Sequence, residues 1–256
     1  MLRRLPWALL VVLVLVQISY PLTHGRVRAG LTVATVVLGY VLSVGHAFAR
    51  RSGITLVATA TVGGFAVEAI GVATGFPFGH YDYSGQLGPK LLGVPLIIPL
   101  AWTWMAWPAW LAATRLSTRR PGQIALAAAG LAAWDLFLDP QMVAEGYWTW
   151  RSPTPALPGV PGVPIGNYLG WLGFAILLMT ALALAGGERI RTPRPGDAPI
   201  LALWLWTYAS SVLAHAVFLG LPASFLGLPG SALWGGVIMG AVVIPLAFSL
   251  RSGRPR

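Results

Sequence analysis

The sequence predicts an all-α fold, a polytopic integral membrane bundle of about eight transmembrane helices in a single domain spanning residues 1–256. Three observations lead there. Of the 256 residues, 56% are hydrophobic and 9% charged, with a mean hydropathy of +0.72, a balance foreign to water-soluble domains. The apolar residues fall in runs close to the roughly 20 that a bilayer-crossing helix needs. The arginines gather in the breaks between those runs.

Taken in order, the first run covers 6–22. It resembles a secretion signal, but QISYPLTHG follows it without a small-residue cleavage site, so a retained first helix is expected. After the break HGRVR comes 29–49, and after RRSG comes 54–75. A long segment, 76–92, precedes the run 93–114. RLSTRRPG then separates it from 122–138, which with the first run is the shortest. A second long segment, 139–165, leads to 166–186. GGERIRTPRPGD, LPASFLGLPG and an arginine-rich tail bound the last two runs, 198–221 and 231–250. Helical periodicity adds little, because helices buried on all sides are apolar all round. Both long segments end in a Val-Pro step, LLGVPLIIP and PGVPGVPIGN, and proline suits the first turn of the helix that follows. The run PTPALPGVPGVP reads as a loop draped over one face, not as a linker between domains.

Eight spans put both termini on one side. Of the 17 Lys and Arg, all but Arg26, Arg28, Lys90 and Arg151 then share the side of the termini. The positive-inside rule makes this N-in and C-in in a cell membrane, with 76–92 and 139–165 on the outer face. Arg26 and Arg28 break the pattern.

With this topology the polar residues converge. Glu68 lies late in the third span, Asp135 and Asp139 at the outer end of the fifth, Asn167 and Tyr168 at the outer start of the sixth, and His215 near the outer end of the seventh. Tyr81, Tyr83, Trp148 and Trp150 lie in the two outer segments; His46 is the exception, near an inner end. Ionisable groups at membrane depth are costly and mark function more often than packing. Glu68 belongs to a stripe with Gly64, Gly71 and Gly75 on one helix face, where a neighbour can approach closely, so its carboxyl is expected to face protein or a cavity. Asp135 and Asp139, at i and i+4 in WDLFLDP, also share a face. Two carboxyls side by side away from water cannot both stay ionised cheaply, and one that keeps its proton is a usable general acid. The bland alternatives are a structural hydrogen bond for Glu68 and a helix-ending Asp-Pro turn for Asp139. For His215 they are a satisfied core position, against a polar contact in the site. Trp102, Trp104, Trp107 and Trp110 read as interfacial or lipid-facing residues.

The composition also excludes. Cysteine is absent, so neither disulfides nor thiolate metal sites are expected. A net charge of +10 would suggest nucleic acid for a soluble protein, but here the arginines sit at span ends, where they anchor and orient. Four scattered histidines form no ligand boxes, so neither a metal nor a cofactor is expected.

Three stretches, EAIGVATGFPFGHYDYSGQLGPKLLGVPLIIPLAW, WDLFLDPQMVAEGYWTW and VPIGNYLGW, resemble the CruF-type carotenoid hydratases among the membrane carotenoid biosynthesis proteins. They cover about residues 68–171, less than half the chain. The resemblance implies addition of water across the terminal C1–C2 double bond of an acyclic carotenoid end, giving a tertiary alcohol. It implies lipophilic substrates such as lycopene, γ-carotene or C50 precursors of the bisanhydrobacterioruberin type. Membrane lipid and other carotenoid-pathway membrane enzymes would be its surroundings.

The resemblance assigns no catalytic residues; the chemistry suggests them. Hydration needs a proton at C2, a stabilised cation at C1 and an oriented water. Asp135 is the expected proton donor, with Glu68 or Asp139 positioning water and taking its proton. Tyr81, Tyr83, Trp148, Trp150 and His215 would contact substrate, and Asn167 would hold the water. Two other readings compete. DLFLD has the Asp-x-x-x-Asp spacing of UbiA-like prenyltransferases or carotenoid elongases, but no second aspartate-rich motif and few basic partners for a diphosphate accompany it. A non-catalytic carotenoid-binding or transport protein would use Gly71/Gly75 and Gly236/Gly240 for helix packing alone.

Overall fold

A computed structural model describes residues 4–219 and 228–252. Arg3, Arg254, Arg256, the end of the expected run 198–221 and most of LPASFLGLPG lie outside the described residues.

The described chain is a helical bundle. The long helices are α1 (Leu5–Ser19), α2 (Gly25–Ala49), α3 (Gly53–Thr74), α4 (Ile98–Leu116), α5 (Arg120–Ala144), α6 (Ile165–Gly186), α7 (Ala198–Leu213, continuing to Phe218) and α8 (Leu228–Arg251). Among the described residues, seven of these elements are long and apolar enough to cross a membrane, all but α4.

The helix α4 is the axis of the bundle. Every residue from Ala101 to Thr114 is buried, and α2, α3, α5, α7 and α8 pack around it. Its four tryptophans therefore correct the belt expectation: Trp102, Trp104, Trp107 and Trp110 are at most 3% exposed. They fill the centre of the bundle, and polar partners take their ring nitrogens in three cases. Trp102 Nε1 donates to Glu68, Trp107 Nε1 to His46 and Trp110 Nε1 to the Ile190 carbonyl.

Three prolines sit inside described helices, Pro108, Pro140 and Pro245, and the first two are answered from another helix. Proline lacks the N–H that would meet the carbonyl four residues back. Pro108 so frees Trp104 O, which accepts the Ser43 hydroxyl of α2 at 3.1 Å. Pro140 frees Leu136 O, which accepts the Ser231 hydroxyl of α8 at 2.5 Å. This second device corrects the expected end of the fifth run at 138. With the orphaned carbonyl satisfied, α5 runs on to Ala144 and Asp139 stands within the helix, not in a turn.

The helix α3 widens to i→i+5 hydrogen bonding over Val57–Val62 and ends at Gly75, whose φ of +79° reverses the chain. The glycine stripe does what the sequence suggests. A Cβ at Gly64 would lie 2.9 Å from the Trp102 side chain, and one at Gly71 would lie 2.8 Å from the Tyr81 hydroxyl.

Six short strands lie in the connections from α3 to α4 and from α5 to α6, the first of which extends past the expected 76–92 to the start of α4 at Ile98. They are β1 (Tyr81–Tyr83), β2 (Lys90–Leu91), β3 (Val94–Pro95), β4 (Trp148–Trp150), β5 (Ala156–Leu157) and β6 (Val160–Pro164). The pairs β2–β3 and β5–β6 are local antiparallel hairpins. The pair β1–β4 is different, because it ties the two segments to each other, with Tyr81 opposite Trp150 and Tyr83 opposite Trp148. The Val-Pro steps fall in β3 and β6, just ahead of the helices; Pro164 caps α6 and Pro99 occupies the first turn of α4.

At the same end, Arg28 in the second turn of α2 reaches Glu145 at 2.5 Å and the Thr23 carbonyl at 2.6 Å. A basic residue that broke the charge pattern thus has a structural partner. At the opposite end, buried Arg50 joins Asp197 at 2.5 Å and the Arg189 and Thr192 carbonyls, locking the α2–α3 turn to the α6–α7 connection.

Candidate functional site

The β1–β4 ribbon supplies the roof of a buried chamber. Side chains alternate across a strand, so Tyr81, Tyr83, Trp148 and Trp150 face inward while Asp82 and Thr149 are exposed. Tyr81 packs on Trp150 at 5.6 Å between ring centres, and Tyr83 meets Trp148 edge-on at 5.5 Å. On the outer face Arg151 holds Asp82 through two hydrogen bonds of 2.8 Å, which keep the Asp82 carboxyl below its usual range.

Glu68 enters from α3 and is 3% exposed. Its Oε2 accepts the Tyr81 hydroxyl at 2.6 Å and the Tyr83 hydroxyl at 2.8 Å, while Oε1 accepts Trp102 Nε1 at 2.9 Å. Burial, and then the Glu68 charge, push both phenols well above their ordinary range, so they remain donors. The glycine at 71 is what lets Tyr81 come this close.

Asp135 and Asp139 enter from α5, buried at 0% and 3% exposure. Asn167, in the first turn of α6, joins them. Its Nδ2 donates to Asp135 Oδ2 at 2.9 Å and to Asp139 Oδ2. Trp148 Nε1 donates to Asp139 Oδ1 at 3.1 Å. Asp135 Oδ1 is buried without a hydrogen-bond partner. One helical turn beyond Asn167, Trp171 stacks on Trp102 with ring centres 3.7 Å apart, forming the floor.

The cavity measures about 50 Å³ and is bordered by Glu68, Asp139 and Asn167 among aromatic walls from Tyr81, Tyr83, Trp148 and Trp150. The carboxyls thus come from α3 and α5, the amide from α6 and the aromatic roof from both long segments. Asp135 does not border the cavity; it stands behind Asn167, linked to Asp139 through that amide. His215 is not in the chamber. Its Nε2 lies 3.0 Å from the Phe137 carbonyl and its Nδ1 2.8 Å from the Ser211 carbonyl, so it braces α5 one turn before Pro140. It borders a second, larger cavity.

Sequence reasoning missed Trp102, which donates to Glu68, and Trp171, which stacks on it. It also missed the pairing of the two long segments. The signal for that pairing was present as aromatic–polar–aromatic alternation in YDY and WTW, the period of a strand with one buried face. Trp102 carried no such mark.

A family model described as carotenoid biosynthesis protein matches residues 25–247. Over 128 residues the chain is 37% identical to the bisanhydrobacterioruberin hydratase of Haloarcula japonica. The matched stretch covers 48% of this chain and 42% of that curated relative, so less than half of the relative's length is spanned. No solved structure matches the chain.

Proposed function

We propose an activity from one premise: the chain belongs to the carotenoid biosynthesis protein family. The reading is a carotenoid hydratase that adds water to the terminal C1–C2 double bond of an acyclic carotenoid end group in the cell membrane. The enzyme spans eight times with both termini inside, among membrane lipid and other carotenoid-pathway enzymes. The substrate class is that of lycopene and the C50 carotenoids. What carries the reading is the meeting of Glu68 with the Asp139–Asn167–Asp135 cluster across one aromatic, water-sized chamber.

The proton comes from the Asp135–Asp139 pair. Asp139, the member that borders the chamber, delivers it to C2, forming the C2–H bond and breaking the π bond. The tertiary cation left at C1 sits among the faces of the aromatic walls and near the Glu68 carboxylate. A water held by Asn167 and Glu68 attacks C1, forms the C1–O bond and gives its extra proton to Glu68. That proton returns to the aspartate pair through water, so the net change is one water added. The donors around Glu68 suit a group that accepts charge and orients water, since a carboxylate is acceptor-only and all three neighbours donate.

The prenyltransferase reading fares worse on the same observations. A diphosphate needs several free cations, yet three of the four basic side chains at this end are engaged: Arg28 with Glu145, Arg151 with Asp82, and Lys90 with the Tyr83 carbonyl at 2.5 Å, leaving exposed Arg26 at the start of α2.

Expression in cells that accumulate lycopene, with pigment analysis by chromatography and mass, tests the reading. A gain of one water per modified end is expected, with conversion lost in Asp139→Asn and Glu68→Gln. Unchanged pigment would refute it. A magnesium-dependent gain of five carbons would instead favour prenyl transfer.

A further inference from the structure

The chamber is too small for the end of a carotenoid together with its chain. At about 50 Å³ it holds water, while sites for organic ligands span roughly 300–1,000 Å³. A cavity of that size lies next to it. It measures about 560 Å³ and is walled by α1, α2, α4, α5 and α7, with Trp104, Trp134 and Trp206 among its aromatic faces. Trp206 spends its polar N–H on Gln17 Oε1 at 2.6 Å and so presents its ring as an apolar surface.

Four residues border both cavities: Thr32 and Val36 on α2, and Leu138 and Met142 on α5. Each pair is spaced i, i+4 and so forms one ridge on its helix. The partition between the two spaces is therefore a single layer of side chains, one of them an unbranched, adaptable methionine. Leu138 immediately precedes Asp139, so the helix that carries the proposed acid also forms half of the partition.

We propose that the larger cavity seats the polyene tail of the substrate, and that the end group passes between the α2 and α5 ridges to reach Asp139 and Glu68. The inference rests on the hydratase reading for its substrate class. The cavity commits to a long, flat, unsaturated hydrocarbon because Trp104, Trp134, Phe137 and Trp206 give it aromatic walls and the α2–α5 partition is all that separates it from the chamber bordered by Asp139 and Glu68.

The test separates tail binding from chemistry. The parent is Asp139→Asn, expressed in carotenoid-producing cells and purified in mild detergent, with bound pigment read from its visible absorbance per protein. Thr35→Trp and Ser210→Trp, on opposite walls of the larger cavity and away from the chamber, are each added to it. Val37→Trp, on the exposed side of α2, is the bulk-matched control. The parent and the control are expected to hold pigment near one per chain, and both wall variants to lose it at least tenfold. Equal retention in all variants overturns the proposal. So does loss in the control as well, or a parent that carries lipid but no polyene. A hydratase reading that fails on pigment mass leaves this result standing, and a tail site that fails here leaves hydration by wild type intact.

Discussion

Tyr81 and Tyr83 both donate to the same oxygen of Glu68, and each brings a ring that also packs on a tryptophan. Replacing either by phenylalanine keeps the ring and removes the donor. A hydrogen bond to a charged group contributes about 1.5–3 kcal/mol. Tyr81→Phe and Tyr83→Phe should each therefore lower hydration about 10- to 100-fold, with little change in bound pigment. Equal conversion by the double variant would remove Glu68 from the mechanism. At this scale much was legible in the sequence. Glu68 among glycines had to face protein, and two aspartates one turn apart had to share a face. Trp102 was not legible, because a tryptophan that hydrogen-bonds a buried carboxylate and one that sits at a lipid interface look alike in an apolar run. His215 was legible as a buried polar group but not as a brace for α5 through the Phe137 carbonyl.

Between elements, the decisive arrangement is that α5 stays helical through Pro140. The Ser231 hydroxyl replaces the missing N–H at the Leu136 carbonyl, which keeps Asp139 one turn above Asp135 with both facing Asn167. Ser231→Ala leaves that buried carbonyl bare, at a cost of about 1–3 kcal/mol. It should lower the thermal midpoint in detergent and reduce conversion, while Ser231→Thr, which keeps the hydroxyl, should do neither. An unchanged midpoint for the alanine variant would show that α5 does not depend on the contact. The sequence suggested a helix end here because proline usually stops a helix; the compensating serine lies 95 positions away and has no local signature. The β1–β4 ribbon was hidden for the same reason, since long-range pairing of three-residue strands leaves only an alternation too short to stand out.

For the whole molecule, the alternation of helices puts the chamber and both long segments at one end and the Arg50–Asp197 lock at the other. The orientation is open to a direct test, because the chain contains no cysteine. Single cysteines at exposed Ser152 and Thr118 should divide in intact cells: the first should react with a membrane-impermeant maleimide, the second only after lysis. The reverse pattern would invert the topology. The overall bundle was legible because bilayer thickness dictates run length and basic residues mark the ends. The axial position of α4 was not, since burial by protein and burial by lipid select the same residues. The link from Ser231 to Leu136 also bears on biogenesis. The hydroxyl that satisfies the Leu136 carbonyl beside Asp139 belongs to α8. A ribosome must therefore deliver Ser231 of α8, 95 positions beyond Leu136, before the acidic end of α5 can settle, and nascent chains that have not reached α8 would be held short of a working chamber.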